Sequence, residues 1–413
     1  MAAQPPPYIP GAARAAGGPA RAQRARRSDL LVWWREIDRV LLFLVLALMA
    51  VGTVAVTAAS PASARRLSTA SEHLDDLHFL VLQLRWQVLG LLALFGASLL
   101  SREQARRAGV MLGGAMMVGL LLVFVPHIGV AVKGAHRWLN LGISLQPSEF
   151  LKPAFAITLA WILSWRLRDP RLPVMAICTA IMVVVGALLM AQPDFGSTIL
   201  FASVWFVLML LSGLSMKRIG VIAGGVLGFV VLAYMFYGNA RNRIDSFLSG
   251  GNAFDQVDLA SRTLLGGGWT GTGLWLGTRK LGLPEAHTDY IFSVVGEEFG
   301  LIACAVIVAL YLAIVLRVLI RLVEEEDLFS TLAATGLVAQ FGGQAFINIL
   351  VNLQLFPSKG MTLPLISYGG SSTIALCLGI GFLLALTRRN PYLAKNPYPV
   401  PDPYAAQPPR EAR

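Results

Sequence analysis

Apolar stretches of membrane-crossing length recur along nearly the whole chain, and they constrain its fold more than any other feature. Ten can be counted, near residues 40–59, 79–100, 109–127, 147–165, 174–190, 197–214, 219–237, 290–318, 330–356 and 371–386. Each approaches the roughly 20 residues a helix needs to cross a hydrocarbon core about 30 Å thick. In that solvent a segment must satisfy its own backbone N–H and C=O groups, which favours helices. Charged residues make up 14% of the chain and hydrophobic ones 56%, whereas soluble domains are about a quarter charged. The expected fold is an all-α polytopic membrane protein of about ten transmembrane helices, forming one membrane domain over residues 37–389.

Orientation follows from the basic residues. The formal net charge is +11, but the excess is not arranged as a nucleic-acid groove. Arginines gather on alternate connections, at 102–107, 166–171, 217–218 and 317–321, and in the two end segments. By the positive-inside rule those connections face the cytoplasm, and so do both termini. Residues 1–36 are rich in Ala, Pro and Arg, with no apolar core of a signal peptide. They and the Pro-rich residues 390–413 are expected to be disordered cytoplasmic tails. The three cysteines, Cys178, Cys304 and Cys377, lie inside apolar stretches without metal-ligand spacing and read as small core residues. The connection 238–289, on the outer face, is about fifty residues long and dense in glycine, including Gly266-Gly267-Gly268. Connections of that length are usually functional.

Four segments at the outer face carry the chemistry-bearing residues: Lys133-Gly-Ala-His-Arg-Trp-Leu-Asn-Leu-Gly142 running on to Lys152, Gln192-Pro-Asp-Phe-Gly196, Leu283-Pro-Glu-Ala-His-Thr-Asp-Tyr-Ile-Phe292, and Pro357 to Ser372. Asp289 stands where the long outer connection enters a span, within reach of a lipid headgroup. A carboxylate there suits a general base, but the residues alone favour a helix cap, a role Thr288 also fits. Glu149 and Lys152 are spaced to pair on one helix face, as a structural ion pair or as part of a substrate cavity. Glu297 and Glu298 present the same choice. One of them is expected to face a polar cavity or a cation, with Arg85 as a candidate partner. Asp194 reads as a turn residue. Gly369, Gly370, Ser371 and Ser372 mark either a re-entrant loop or an ordinary helix start. Lys133, His136 and Arg137, joined by Arg241, Arg243 and Lys280, form a cationic group suited to a pyrophosphate or to anionic headgroups. His287 reads as a hydrogen-bonding loop residue.

Together these segments resemble the shape, elongation, division and sporulation (SEDS) family. Residues 284–292 look like its outer-loop signature and residues 363–372 like its second signature. Residues 133–142 and 192–196 fit as well, and the likeness extends from about Ile37 to Arg389. Within the family the Pro284-Glu-Ala-His287 form and Pro357-Ser-Lys-Gly360 are more like the cell-division branch than the elongation branch. Tyr290 and the stretch 348–356 depart from the commonest pattern.

The resemblance implies a peptidoglycan glycosyltransferase that polymerises lipid II at the outer face of the bacterial inner membrane. Asp289 would be its catalytic carboxylate rather than a cap. Substrate binding would fall to Lys133, Arg137, Glu149, Lys152, Arg243, His287 and Ser371. Arg85, Asp194, Glu297, Glu298, Gly369 and Gly370 would shape the cavity. It also implies a class B penicillin-binding protein (FtsI-like) transpeptidase as partner, other division proteins, membrane lipids, and support from a divalent cation (Mg or Mn) with no assigned ligands. A lipid II flippase and a non-catalytic division scaffold are the competing readings.

Overall fold

The computed structural model describes residues 30–69, 73–132, 135–140, 142, 144–167, 169, 171–214, 216–238, 241–242, 244–245, 256–357 and 360–389. Residues 1–29 and the tail 390–413 therefore lie outside the described residues, whereas residues 30–36, expected to be disordered, are helical. The compact body is Asp38–Thr387.

Its helices are α1 (Arg39–Leu67), α2 (His78–Ser98), α3 (Arg102–Leu122), α4 (Pro147–Ser164), α5 (Val174–Ala191), α6 (Phe195–Leu211), α7 (Met216–Phe236), α8 (Gln256–Gly266), α9 (Ile291–Leu322), α10 (Leu328–Asn352) and α11 (Ser371–Leu386). A helix occupies each expected span, and α8 is an additional short helix in the long connection. Among the described residues, seven helices are long and apolar enough to cross a membrane. Two more, α6 and α11, are apolar but shorter, at 17 and 16 residues. The all-α expectation needs one correction. Between α3 and α4 the chain forms a small antiparallel sheet, β1 (Gly129–Val132), β2 (Ala135–Asn140) and β3 (Ser144–Leu145), in the order β1-β2-β3.

Local chemistry fixes the helix ends. The Asp38 carboxylate caps α1, accepting from the amides of Val40 and Leu41 at 3.1 Å each. Ser101 and Gln104 form a capping box on α3. Pro147 opens α4 at a position where a missing N–H costs nothing. Helices α4 and α10 are the most buried of the long helices, and α11 packs beside them against α2.

The end of the bundle carrying Asp38 is closed by ion pairs. Asp38, 1% exposed, receives Arg317 at 2.9 Å and Arg321 at 2.7 Å, and Arg102 meets Glu325 at 2.9 Å. Removing this buried carboxylate takes away the cap of α1 and the shared acceptor of two guanidinium groups, although Arg321 keeps the Thr387 carbonyl at 3.1 Å. Asp38→Ala is therefore expected to destabilise by about 3–5 kcal/mol, read as a lowered Tm in detergent. An unchanged Tm would mean that the network carries no stability.

At the opposite end α9 is interrupted at Gly300, where φ is 81° and ψ 176°. The break leaves helix carbonyls and amides without their usual partners. Residues 268–273 supply them: Thr272 and Gly273 donate to the carbonyls of Glu297 and Glu298 at 2.8 and 3.0 Å, and the carbonyl of Gly268 accepts from Leu301 at 3.0 Å. Gly300 has a conformation essentially restricted to glycine, and a Cβ there would run into the Trp269 carbonyl. Gly300→Ala is expected to cost at least about 1–3 kcal/mol. Proteolysis within residues 266–282 should increase with it, and a variant as stable and protease-resistant as the parent would contradict the strain.

Candidate functional site

All four segments singled out from the sequence converge on the end opposite Asp38. Residues 361–370 do not run over the surface. A Cβ on Gly52 would lie 2.5 Å from the Leu365 carbonyl oxygen, and Gly52 stands about 20 Å along α1 at 1.5 Å per residue. The segment is thus irregular backbone at span depth, tolerated because protein surrounds it. Gly370 (φ 54°) turns the chain into α11, and the Gly369 carbonyl accepts from the Ser372 amide at 3.0 Å.

This segment pairs with the one carrying Asp289. Tyr368 donates its amide to the His287 carbonyl at 2.9 Å, and Ser367 Oγ donates to the Thr288 carbonyl at 2.5 Å. The His287 ring lies 4.1 Å from that of Phe79 and 5.6 Å from that of Tyr368, so it is part of a buried aromatic stack.

Asp289 is partly exposed, and the backbone of Gly360 passes beside its carboxylate. It does not occupy the N-cap of α9, which falls on Tyr290. The Ser293 amide in the first turn is bonded by Asn352 Oδ1 at 3.2 Å, and the Thr288 hydroxyl is bonded to Glu285. Capping therefore does not account for Thr288 or Asp289.

Beneath lies the buried pair on α4. Lys152 Nζ stands 2.8 Å from Glu149 Oε1 and 3.1 Å from Gln344 Oε1. Glu149 Oε2 accepts from Ser372 Oγ at 2.9 Å, while Gln344 Nε2 donates to the Thr362 carbonyl at 3.0 Å. Lys152 and Glu149 thus brace the re-entrant segment. The serine that meets them is Ser372, whereas the hydroxyl of the neighbouring Ser371 is buried and has no hydrogen-bond partner among the described residues.

Other placements differ from expectation. Arg85 is not the partner of Glu297 or Glu298, and the cation that one of them meets is Lys280. Glu297 accepts from the amides of Arg279 and Lys280 at 2.7 and 2.9 Å. Glu298 accepts from the amides of Trp275 and Gly277 and is paired with Lys280. Lys280 is buried and also donates to the Ala58 carbonyl at 2.9 Å, which removes it from the outer cationic group. Arg85 is exposed on α2 and makes no ion pair among the described residues. The glycines explain the error: residues 266–282 fold back tightly onto the α9 break and bring partners that sequence distance conceals.

Arg137 is half-buried and donates to the carbonyls of Gln192 and Pro193, joining the small sheet to the α5–α6 turn. In that turn Asp194 caps α6, accepting from the amide and hydroxyl of Ser197 at 3.1 and 2.8 Å. Lys133 and Arg243 lie outside the described residues. Missed in the sequence were Gln344, Asn348 and Asn352, whose four-residue spacing places amides on one face of α10. That periodicity was the available signal. Among the described residues no group of three or more His, Cys, Asp or Glu side chains converges.

Comparison with known proteins follows this geometry. The "Probable peptidoglycan glycosyltransferase FtsW" of Caulobacter vibrioides is 35% identical over 371 residues, covering 89% of this chain and 93% of the relative. The protein of the same name from Thioalkalivibrio sulfidiphilus is 36% identical over 370 residues, covering 86% and 90%. Among solved structures, a chain from a peptidoglycan synthase complex described as coordinating polymerization and crosslinking matches with a TM-score of 0.70 at 28% identity, covering 85% of this chain and 97% of that one. The rod shape determining protein RodA of Thermus thermophilus matches at 0.62 and 28% identity, covering 86% and 97%. The FtsW/RodA/SpoVE sequence profile matches residues 38–392, and the chain belongs to this family of cell cycle proteins.

Proposed function

We propose that this chain is a peptidoglycan glycosyltransferase of the division type, which polymerises lipid II into glycan strands. The observation that carries the reading is the placement of Asp289. It is a partly exposed carboxylate, outside any helix, on a backbone held by buried polar side chains at the end of the bundle where all four distinctive segments meet. Full-length similarity to proteins named for this activity supports it.

Lipid II presents its MurNAc through an α-linked pyrophosphate, and the polymer is β-linked. Inversion requires one displacement and no covalent enzyme intermediate. Asp289 takes the proton from the 4-hydroxyl of the acceptor GlcNAc as that oxygen attacks the MurNAc anomeric carbon. The C–O bond to the pyrophosphate breaks, and the lipid pyrophosphate departs with the electron pair. Lys133, Arg137 and Arg243 are the candidates for offsetting its charge. Arg137 retains its two backbone contacts in this role, and they orient its guanidinium. Glu149 and Lys152 shape the cavity floor, and His287 and Ser371 line its wall. The described residues offer no ligand set for the expected divalent cation, so no step is routed through one.

Ten spans, both termini in the cytoplasm and an outer active site complete the reading, with residues 238–289 as the large outer connection. A class B penicillin-binding protein would crosslink the strands, a pairing in keeping with the solved synthase complex described as coordinating polymerization and crosslinking. Proteoliposomes with lipid II in the leaflet on the Asp289 side test the reading against a flippase. The expected result is polymer without prior translocation of labelled lipid II. Translocation without polymer would overturn it.

A further inference from the structure

A buried side chain is inserted at the start of α9, where the Ser293 amide also donates to the Tyr290 carbonyl at 3.1 Å. If the helix ran back through Asp289, the Asp289 carbonyl would accept directly from the Ser293 amide four residues on. Instead the Asn352 carboxamide stands between them. Its Nδ2 donates to the Asp289 carbonyl at 3.2 Å, and its Oδ1 accepts from the Ser293 amide at 3.2 Å and from Ser293 Oγ at 2.7 Å. Asn348, one turn earlier on α10, donates to the same Asp289 carbonyl at 2.8 Å and to the Met361 carbonyl at 2.7 Å. Asn352 also donates to the Asn348 carbonyl at 2.9 Å. Asn352 and Ser293 are 0% exposed and Asn348 is 2% exposed, so water does not compete for these bonds, and an unmade one would be costly.

We infer that Asn352, supported by Asn348, is a positioning residue for the reaction. The inserted Asn352 carboxamide holds Asp289 out of the helix, and that of Asn348 ties the Asp289 backbone to the re-entrant segment at Met361. This sets where the Asp289 carboxylate stands relative to the acceptor hydroxyl. The inference rests on Asp289 being the base. Sub-ångström placement of a base matters because a misplacement of about 1 Å can cost about a hundredfold in rate.

The test compares initial rates of lipid II polymerisation by the full chain with its transpeptidase partner. Asn352→Asp is nearly isosteric and keeps the acceptor for Ser293 while losing the donor to Asp289. It is expected to lower kcat by roughly ten- to a hundredfold, with KM for lipid II within about twofold and partner binding retained. Asn348→Ala, which loses the other donor, should show the same split. Ser293→Ala keeps its amide and should fall by less than about threefold. Unchanged kcat in Asn352→Asp, with Asp289→Asn inactive, would overturn the positioning role alone. Activity in Asp289→Asn would instead remove the base assignment on which it rests. If Asn352→Asp does not fold, Asn348→Ala decides. A selective loss of kcat supports the inference, and unchanged kcat, or KM and kcat moving with stability, overturns it.

Discussion

Asp289→Asn is expected to reduce lipid II polymerisation by about 10²- to 10⁴-fold, the range associated with loss of a general base. The carboxamide has nearly the same shape but cannot accept a proton from the acceptor hydroxyl. Fold and partner binding should survive, because Asn348 and Asn352 hold this residue by its carbonyl, which the substitution leaves in place. The measurement pairs polymer yield with Tm and with co-purification of the transpeptidase. An inactive variant that still binds its partner also disfavours a pure scaffold, for which Asp289 would be dispensable. A variant that polymerises normally would remove Asp289 as the base while leaving the enzyme intact.

The second large effect concerns the buried pair on α4. Lys152→Met would strand the Glu149 carboxylate with Ser372 as its remaining bonded partner, and release Gln344 as well. Breaking one side of a buried pair typically costs about 3–5 kcal/mol, whereas replacing both partners can be nearly neutral. Lys152→Met and Glu149→Gln are therefore each expected to unfold at clearly lower temperature than the parent. The double variant should recover much of the loss. Polymerisation should stay impaired in all three, because Gln344 reaches the re-entrant segment through Thr362. Additive losses in the double variant would show that the two charges are not coupled.

The helices were legible in the sequence because apolar length alone dictates them, and so was the pairing of Glu149 with Lys152, which needs only helical spacing. The partners of Glu297 and Glu298 were not. They come from a glycine-dense segment whose path depends on a helix break at Gly300, and no local pattern announces that break. Arg85 is the partner that the sequence offers for one of those acids because a charge within a span is costly unpaired, but it lies exposed on α2. The small sheet between α3 and α4 is not legible in the sequence because its strands are short, giving little alternation to read. Asn348 and Asn352 drew attention only as a departure from a pattern, although their spacing with Gln344 was already a polar stripe on an apolar helix.

The central claim is that this chain itself forms glycan strands. Its most direct test is incubation of the purified chain and its transpeptidase partner with labelled lipid II, followed by gel separation and digestion with a muramidase. A ladder of polymer that the muramidase collapses, absent when Asp289→Asn replaces the parent, is the predicted result. Folded, partner-bound protein that leaves lipid II entirely monomeric would contradict it.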